Sequence, residues 1–381
     1  MTRYIAWMLT LLVALCLPRQ SMAQGGDDMR SRAIRVGVML PLNDYGYDGR
    51  RMVEYYRGVL MACDSLRQHG VSVDVRAWNV AETTDISTVL REQGAADRDL
   101  IIGPYYSKQM AQIAQFADDN GIDVLVPFNV RGPDACKSDR VFQAYLSPAD
   151  FNSGAIEIYR EMFSNYHTVF IDCNDSTSRK GSFTMGLRTR LDQLGRSYRI
   201  TNLKSDEDAF TKAFSTTQPN MVVVNTGRGQ ELSVVFARLN NLTMNNEGIQ
   251  VSMYGYPEWV DYTQYNLDNY YKFNVYVPSA SYYNPLSSKT ARFEQKYRWN
   301  FHADMEATRP RMALAGFDHT YFFVRGLSLM GERFKGLGPS VGYTAIQTPL
   351  DFEKQEEGGY KNRAMMTIHY TPTHKIETTT Y

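Results

Sequence analysis

Between Ile34 and Asn129 the chain alternates short apolar runs with amphipathic segments, and each apolar run stops at turn-forming and polar residues. Ile34, Val36, Val38, Met39 and Leu40 form a run that ends at Pro41-Leu42-Asn43-Asp44-Tyr45-Gly46. Val53, Tyr56, Leu60 and Cys63 then recur at three- and four-residue spacings up to Gly70, the period of a helix with one buried face. Val71, Val73 and Val75 alternate as a second strand. Leu100-Ile101-Ile102 breaks at Gly103-Pro104-Tyr105-Tyr106, and Asp123 to Val126 breaks at Pro127-Phe128-Asn129. Ser107 stands where an N-cap belongs, before a helix carrying Met110, Ile113, Ala114 and Ala117 on one face. This order predicts an α/β fold with a parallel sheet and a ligand crevice at the carboxyl ends of its strands.

The second half repeats the plan. Thr168-Val169-Phe170-Ile171 ends at Asp172-Cys173-Asn174-Asp175-Ser176, Met221-Val222-Val223-Val224 at Asn225-Thr226-Gly227, and Val251 to Tyr254 at Gly255-Tyr256-Pro257-Glu258-Trp259. Helices are expected over 151–163, 183–194, 231–239, 289–299 and 311–330, with further strands over 273–277 and 365–370. The candidate binding residues all lie just beyond strand ends or at a crossing between the halves: Asn43, Tyr45, Tyr105, Ser107, Asn129, Tyr145, Asn174, Thr226, Tyr256 and Glu258. A helix start at Ser107 would turn unpaired backbone N–H groups and a positive dipole end toward an anionic group such as an α-carboxylate.

Val36-Gly37-Val38-Met39-Leu40-Pro41-Leu42, Ile101-Ile102-Gly103-Pro104 and Val124-Leu125-Val126-Pro127 resemble the first, third and fourth strands of the type I periplasmic solute-binding proteins, the leucine/isoleucine/valine-binding family. Ala315-Gly316-Phe317-Asp318 resembles the family's late helix. Asp351-Phe352-Glu353 with Gly358-Gly359-Tyr360-Lys361-Asn362 resembles its terminal hairpin. The resemblance implies two Rossmann-like lobes with central parallel sheets, joined by three strands near Tyr145, Pro278 and Gly336. Residues 24–144 and 278–336 would then form the first lobe, and 145–277 and 337–381 the second. It also implies a receptor that closes on a small polar ligand, an amino acid or related compound, for ABC-type uptake or sensing, with a membrane permease as partner. In such receptors the loop matching Tyr105–Ser107 holds the carboxylate and a second-lobe acid, here Glu258, holds the ammonium. This chain departs from the pattern by placing Tyr105-Tyr106 where the family has small residues. The alternative is a ligand-free adaptor of the cell envelope, or a regulator of peptidoglycan synthesis, that uses the same fold to hold an envelope protein.

Residues 1–23 read as a secretory signal, with Arg3 before the apolar core Ile5 to Leu17 and a small-x-small site at Ser21-Met22-Ala23. Leu15 before Cys16 does not suit a lipid-attachment site, so a periplasmic protein without a lipid anchor is expected. The 41 basic and 41 acidic side chains balance, which gives no reason to expect nucleic acid or an anionic membrane surface, and no segment past residue 23 is long and apolar enough to suggest insertion into a membrane. Past the leader, Cys63, Cys136 and Cys173 allow one disulfide at most, and none is expected. The six histidines show no metal-ligand spacing, and no nucleophile elbow or phosphate loop is present; neither enzyme activity nor a cofactor is expected.

Overall fold

The computed structural model describes residues 32–43, 46–129, 137–178 and 180–381; the expected leader, Tyr45 and Cys136 lie outside them. Apolar runs become buried strands. In the first half these are β1 (Ile34–Leu40), β2 (Val73–Asn79), β3 (Leu100–Ile102), β4 (Asp123–Val126) and β5 (Val141–Gln143), all mutually parallel. In the second half β6 (His167–Asp172), β7 (Tyr198–Asn202), β8 (Asn220–Val224), β9 (Val251–Tyr254) and β10 (Val275–Ser279) repeat that arrangement. Two short hairpins follow, β11 (Phe352–Lys354) with β12 (Tyr360–Asn362) and β13 (Met366–Tyr370) with β14 (Ile376–Thr380). The result is two seven-stranded sheets, ordered β11-β12-β5-β4-β3-β1-β2 and β14-β13-β10-β9-β8-β6-β7. Each is covered by helices, because strands apolar on both faces need both faces buried.

The first passage between sheets follows β5 at Ala144 and Tyr145. Ser147 then caps the helix Pro148–Met162, which packs into the second core. The second passage follows β10, after which the helix Met312–Met330 lies against the helix Gly46–Gln68 of the first lobe. Those two helices touch backbone to backbone: a Cβ on Gly58 would stand 1.9 Å from the Ala313 carbonyl oxygen, and one on Gly316 would stand 2.1 Å from that of Tyr55.

The third passage differs from the expectation. Gly336 does not cross between lobes; its left-handed backbone makes a turn inside the first lobe, where its carbonyl accepts the Phe352 N–H at 2.9 Å. The hairpin β11–β12, expected in the second lobe, joins the first sheet, because β12 pairs parallel with β5 and Tyr360 stacks on Phe142 with ring centres 4.6 Å apart. The chain crosses at Arg363–Met365 instead, so only β13 and β14 of the C-terminal segment enter the second sheet. Asn362 holds this passage to the first one. Its buried amide donates to the carbonyls of Ala144 and Pro349, while its Oδ1 accepts from the N–H groups of Asp351 and Ala364.

Candidate functional site

The carboxyl ends of β6, β8 and β9 gather a polar network. After β6, Asp172 accepts from the Asn174 N–H and from Asn225 Nδ2, both at 2.9 Å, and the Asn225 Oδ1 accepts the Cys173 N–H. Asn174 itself is exposed, adopts φ 55°, and exchanges side-chain hydrogen bonds with Asn202 at 2.8 and 3.0 Å. Such a left-handed backbone is one that asparagine tolerates better than most residues. Thr226 is buried, and its hydroxyl donates to Asp175 Oδ2 at 2.9 Å. A hydrogen bond from Thr177 leads the causes that hold the Asp175 carboxyl below the usual carboxylate range; Thr226 and Arg228 lower it further. Arg228 reaches Asp175 at 3.6 Å and Glu231 at 3.3 Å.

After β9, Tyr256 is buried and donates its hydroxyl to the Val224 carbonyl at 2.6 Å; burial raises its pKa well above the ordinary tyrosine value. The Lys180 ammonium lies over the Tyr256 ring, 4.6 Å from its centre, and meets Glu258 Oε1 at 2.6 Å. Glu258, the expected partner for a ligand ammonium, therefore already holds the protein's own cation.

In the first lobe, Tyr105 is half-buried between Tyr106 and Phe128, and its hydroxyl donates to Asp48 Oδ1 at 2.7 Å. Burial, then the hydrogen bond to the Asp48 carboxylate, raises the Tyr105 pKa. Ser107 is not an α-helix cap. It is the first residue of a 3-10 turn, Ser107–Gln109, with Tyr106 in the cap position; the α-helix begins only at Met110. The regular helix therefore starts three residues later than expected. Asn43 is half-buried, Asn129 is exposed, and Tyr145, on the first passage, is 39% exposed.

Strand-end position thus did not tell which side chains are available to a ligand. Thr226 and Tyr256 are turned inward and act as supports. The residues that sequence reasoning missed are Lys180, Asp175 and Arg228. Asp175 stands in a strand-end run and Arg228 directly follows one, whereas Lys180 has no local signal, since its partner is 78 residues away.

A cavity of about 810 Å³ lies beside the second passage, and none of the ten expected residues lines it. Among the described residues no group of three His, Cys, Asp or Glu side chains is placed to hold a metal ion, and no helix is long and apolar enough to cross a membrane. Cys63 and Cys173 are buried thiols, both pushed up to about 12 by burial.

No family model and no curated protein matches this chain. Solved structures do. A protein of Rhodospirillum rubrum assigned to branched-chain amino acid ABC transport superposes with a TM-score of 0.59 at 12% identity, covering 91% of this chain and 100% of that one. Full-length LpoA from Haemophilus influenzae superposes with a TM-score of 0.55 at 16% identity, covering 91% of this chain and 59% of LpoA. Such identities speak to architecture alone, and the architecture is the type I periplasmic binding fold.

Proposed function

We propose that the protein is a non-catalytic periplasmic receptor that closes its two lobes on a small polar ligand, an amino acid or related compound, and passes it to an ABC-type permease or a sensor. The observation that carries this reading is the charged rim at the carboxyl edge of the second sheet, where Lys180, Asp175, Arg228 and Glu258 converge from the loops after β6, β8 and β9. Ligands of open α/β sheets bind outside the carboxyl ends of the strands. Three passages between the lobes also form a hinge that permits closure without independent tumbling. Tyr105 and Tyr145 then supply walls with large area and little rotamer entropy to lose.

A thermal-shift screen of the mature chain over amino acids, short peptides and sugars tests the reading. A ligand at 100 times its Kd stabilises the fold by about 2.7 kcal/mol. Tyr145→Ala should weaken the ligand so found at least about tenfold, or 1.4 kcal/mol, with the fold intact. Unchanged affinity removes Tyr145 from the site.

One observation favours a second reading, a ligand-free adaptor or regulator of peptidoglycan synthesis that docks an envelope protein. Glu258, Thr226, Tyr256 and Tyr105 each have a partner within the protein already. The shared fold of LpoA supports the same reading. Silence across the whole screen, with capture of an envelope protein by the mature chain, would favour it over the receptor.

A further inference from the structure

The 810 Å³ cavity beside the second passage has walls from both lobes and from the connection between them. Phe151, Val260 and Tyr370 belong to the second lobe, Tyr282 and Leu286 to the connection, and Arg309 and Arg311 to the loop that leads into the first-lobe helix Met312–Met330. Its size falls within the range of small-molecule sites, roughly 300 to 1,000 Å³.

Its chemistry is one-sided. Aromatic, proline and aliphatic side chains make most of the wall, and the charged residues lining it are two arginines, with no carboxylate among the lining residues. The Arg311 guanidinium donates to the Met305 carbonyl at 3.4 Å and the Glu306 carbonyl at 2.5 Å, and it lies 4.7 Å from the centre of the Tyr283 ring. These contacts orient the cation, whose charge also acts on the nearby Glu54 carboxyl. Arg309 reaches across the lobes to pair with Asp261, which is not among the lining residues. An apolar cavity with cationic groups at one edge gains most from a molecule that fills the walls and brings the missing anion. A zwitterionic amino acid finds no acid there for its ammonium.

We infer that this cavity, which borders the loop after β9 at Pro257 but is not lined by Lys180, Asp175, Arg228 or Glu258, is a second ligand site, for an amphipathic carboxylate: an apolar acyl or aryl body carrying one acid group. Because its walls come from both lobes, such a ligand would clamp them in one relative position.

Isothermal titration of the mature chain with decanoate and 4-phenylbutyrate, each against the corresponding alcohol, tests the inference. At least one acid should bind at least about tenfold more tightly than its alcohol. The tighter of the two acids distinguishes an acyl from an aryl body. Ala307→Trp, which adds bulk from an exposed rim position, should lower that affinity at least about tenfold. Leu286→Glu, at a residue 78% exposed, should do the same by repelling the acid, and serves if the first variant does not fold. Lys180→Ala, at the strand-end rim, should leave it unchanged. The inference is overturned if neither acid binds, if alcohol and acid bind equally, if Lys180→Ala abolishes binding, or if a folded rim variant binds like the parent.

Discussion

Lys180 Nζ stands 2.6 Å from Glu258 Oε1, an ion pair that joins the loop after β6 to the loop after β9. Their side chains are 20% and 48% exposed, so water screens the pair and its contribution to stability is small, up to about 1 kcal/mol. In the receptor reading proposed above, an incoming ammonium would have to compete with Lys180 for this one carboxylate. Lys180→Met should melt within a few degrees of the parent and bind amine-bearing ligands at least about tenfold more tightly. Calorimetry on the amino acid panel measures this. An unchanged affinity would remove Glu258 as the ammonium partner.

Asn362 closes four hydrogen bonds at the third passage, to Ala144 of the first passage and to Pro349, Asp351 and Ala364, at 3.2, 3.3, 2.9 and 3.1 Å. Asn362→Leu keeps the volume and leaves two carbonyls and two N–H groups buried without partners. Each such group costs about 1 to 3 kcal/mol, partly relieved by local shifts. We expect a loss of about 2 to 4 kcal/mol in urea unfolding. A loss under 1 kcal/mol would mean that the hinge relaxes freely around this residue.

The contact of Gly316 with the Tyr55 backbone predicts a steep steric response. A methyl group placed 2.1 Å from a carbonyl oxygen forces the helices Gly46–Gln68 and Met312–Met330 apart, because backbone cannot rotate away as a side chain does. Gly316→Ala should cost 3 kcal/mol or more and lower soluble yield, whereas Gly181→Ala, with open space around it, should be within about 0.5 kcal/mol of the parent. Equal melting temperatures for the two variants would contradict the helix pairing.

The strands were legible because an apolar run bounded by proline, glycine and asparagine has few other ways to bury itself; β1, β3, β4, β6, β8 and β9 follow those runs closely. Features set by distant partners were not. Gly336 carries a turn signal like any other glycine. The placement of β12 rests on Tyr360 meeting Phe142, a contact invisible to local pattern. At the site, the sequence marks Thr226 and Tyr256 as strand-end residues but not which way they face, and that choice is made by Asp175 and by the Val224 carbonyl. The cavity is assembled from several separate segments, so no motif announces it.

Glu54 gives the pH prediction. It is 2% exposed on the helix Gly46–Gln68; its Oε2 accepts the Glu306 N–H at 3.0 Å, and its Oε1 has no hydrogen-bond partner among the described residues. Burial pushes its carboxyl up to about 7 from an ordinary value of 4.5; nearby Glu306 raises it as well, while the Glu306 N–H and Arg311 oppose the shift. The folded chain thus holds this proton more tightly than the unfolded chain does. The associated stability is fully present below pH 4.5 and is lost as pH rises through about 7. Buried His319, which meets the Tyr55 hydroxyl at 2.9 Å, acts in the opposite sense. Burial lowers its pKa from 6.5 to about 3, so it favours folding increasingly as pH rises between those values. The two slopes partly cancel in the parent below pH 6.5, and a variant comparison separates them. Glu54→Gln removes the falling limb alone, so its stability relative to the parent should improve by about 1 to 3 kcal/mol between pH 5 and pH 8. Urea unfolding of both proteins at the two pH values measures the difference, and a pH-independent gap between them would return the Glu54 carboxyl to its ordinary value.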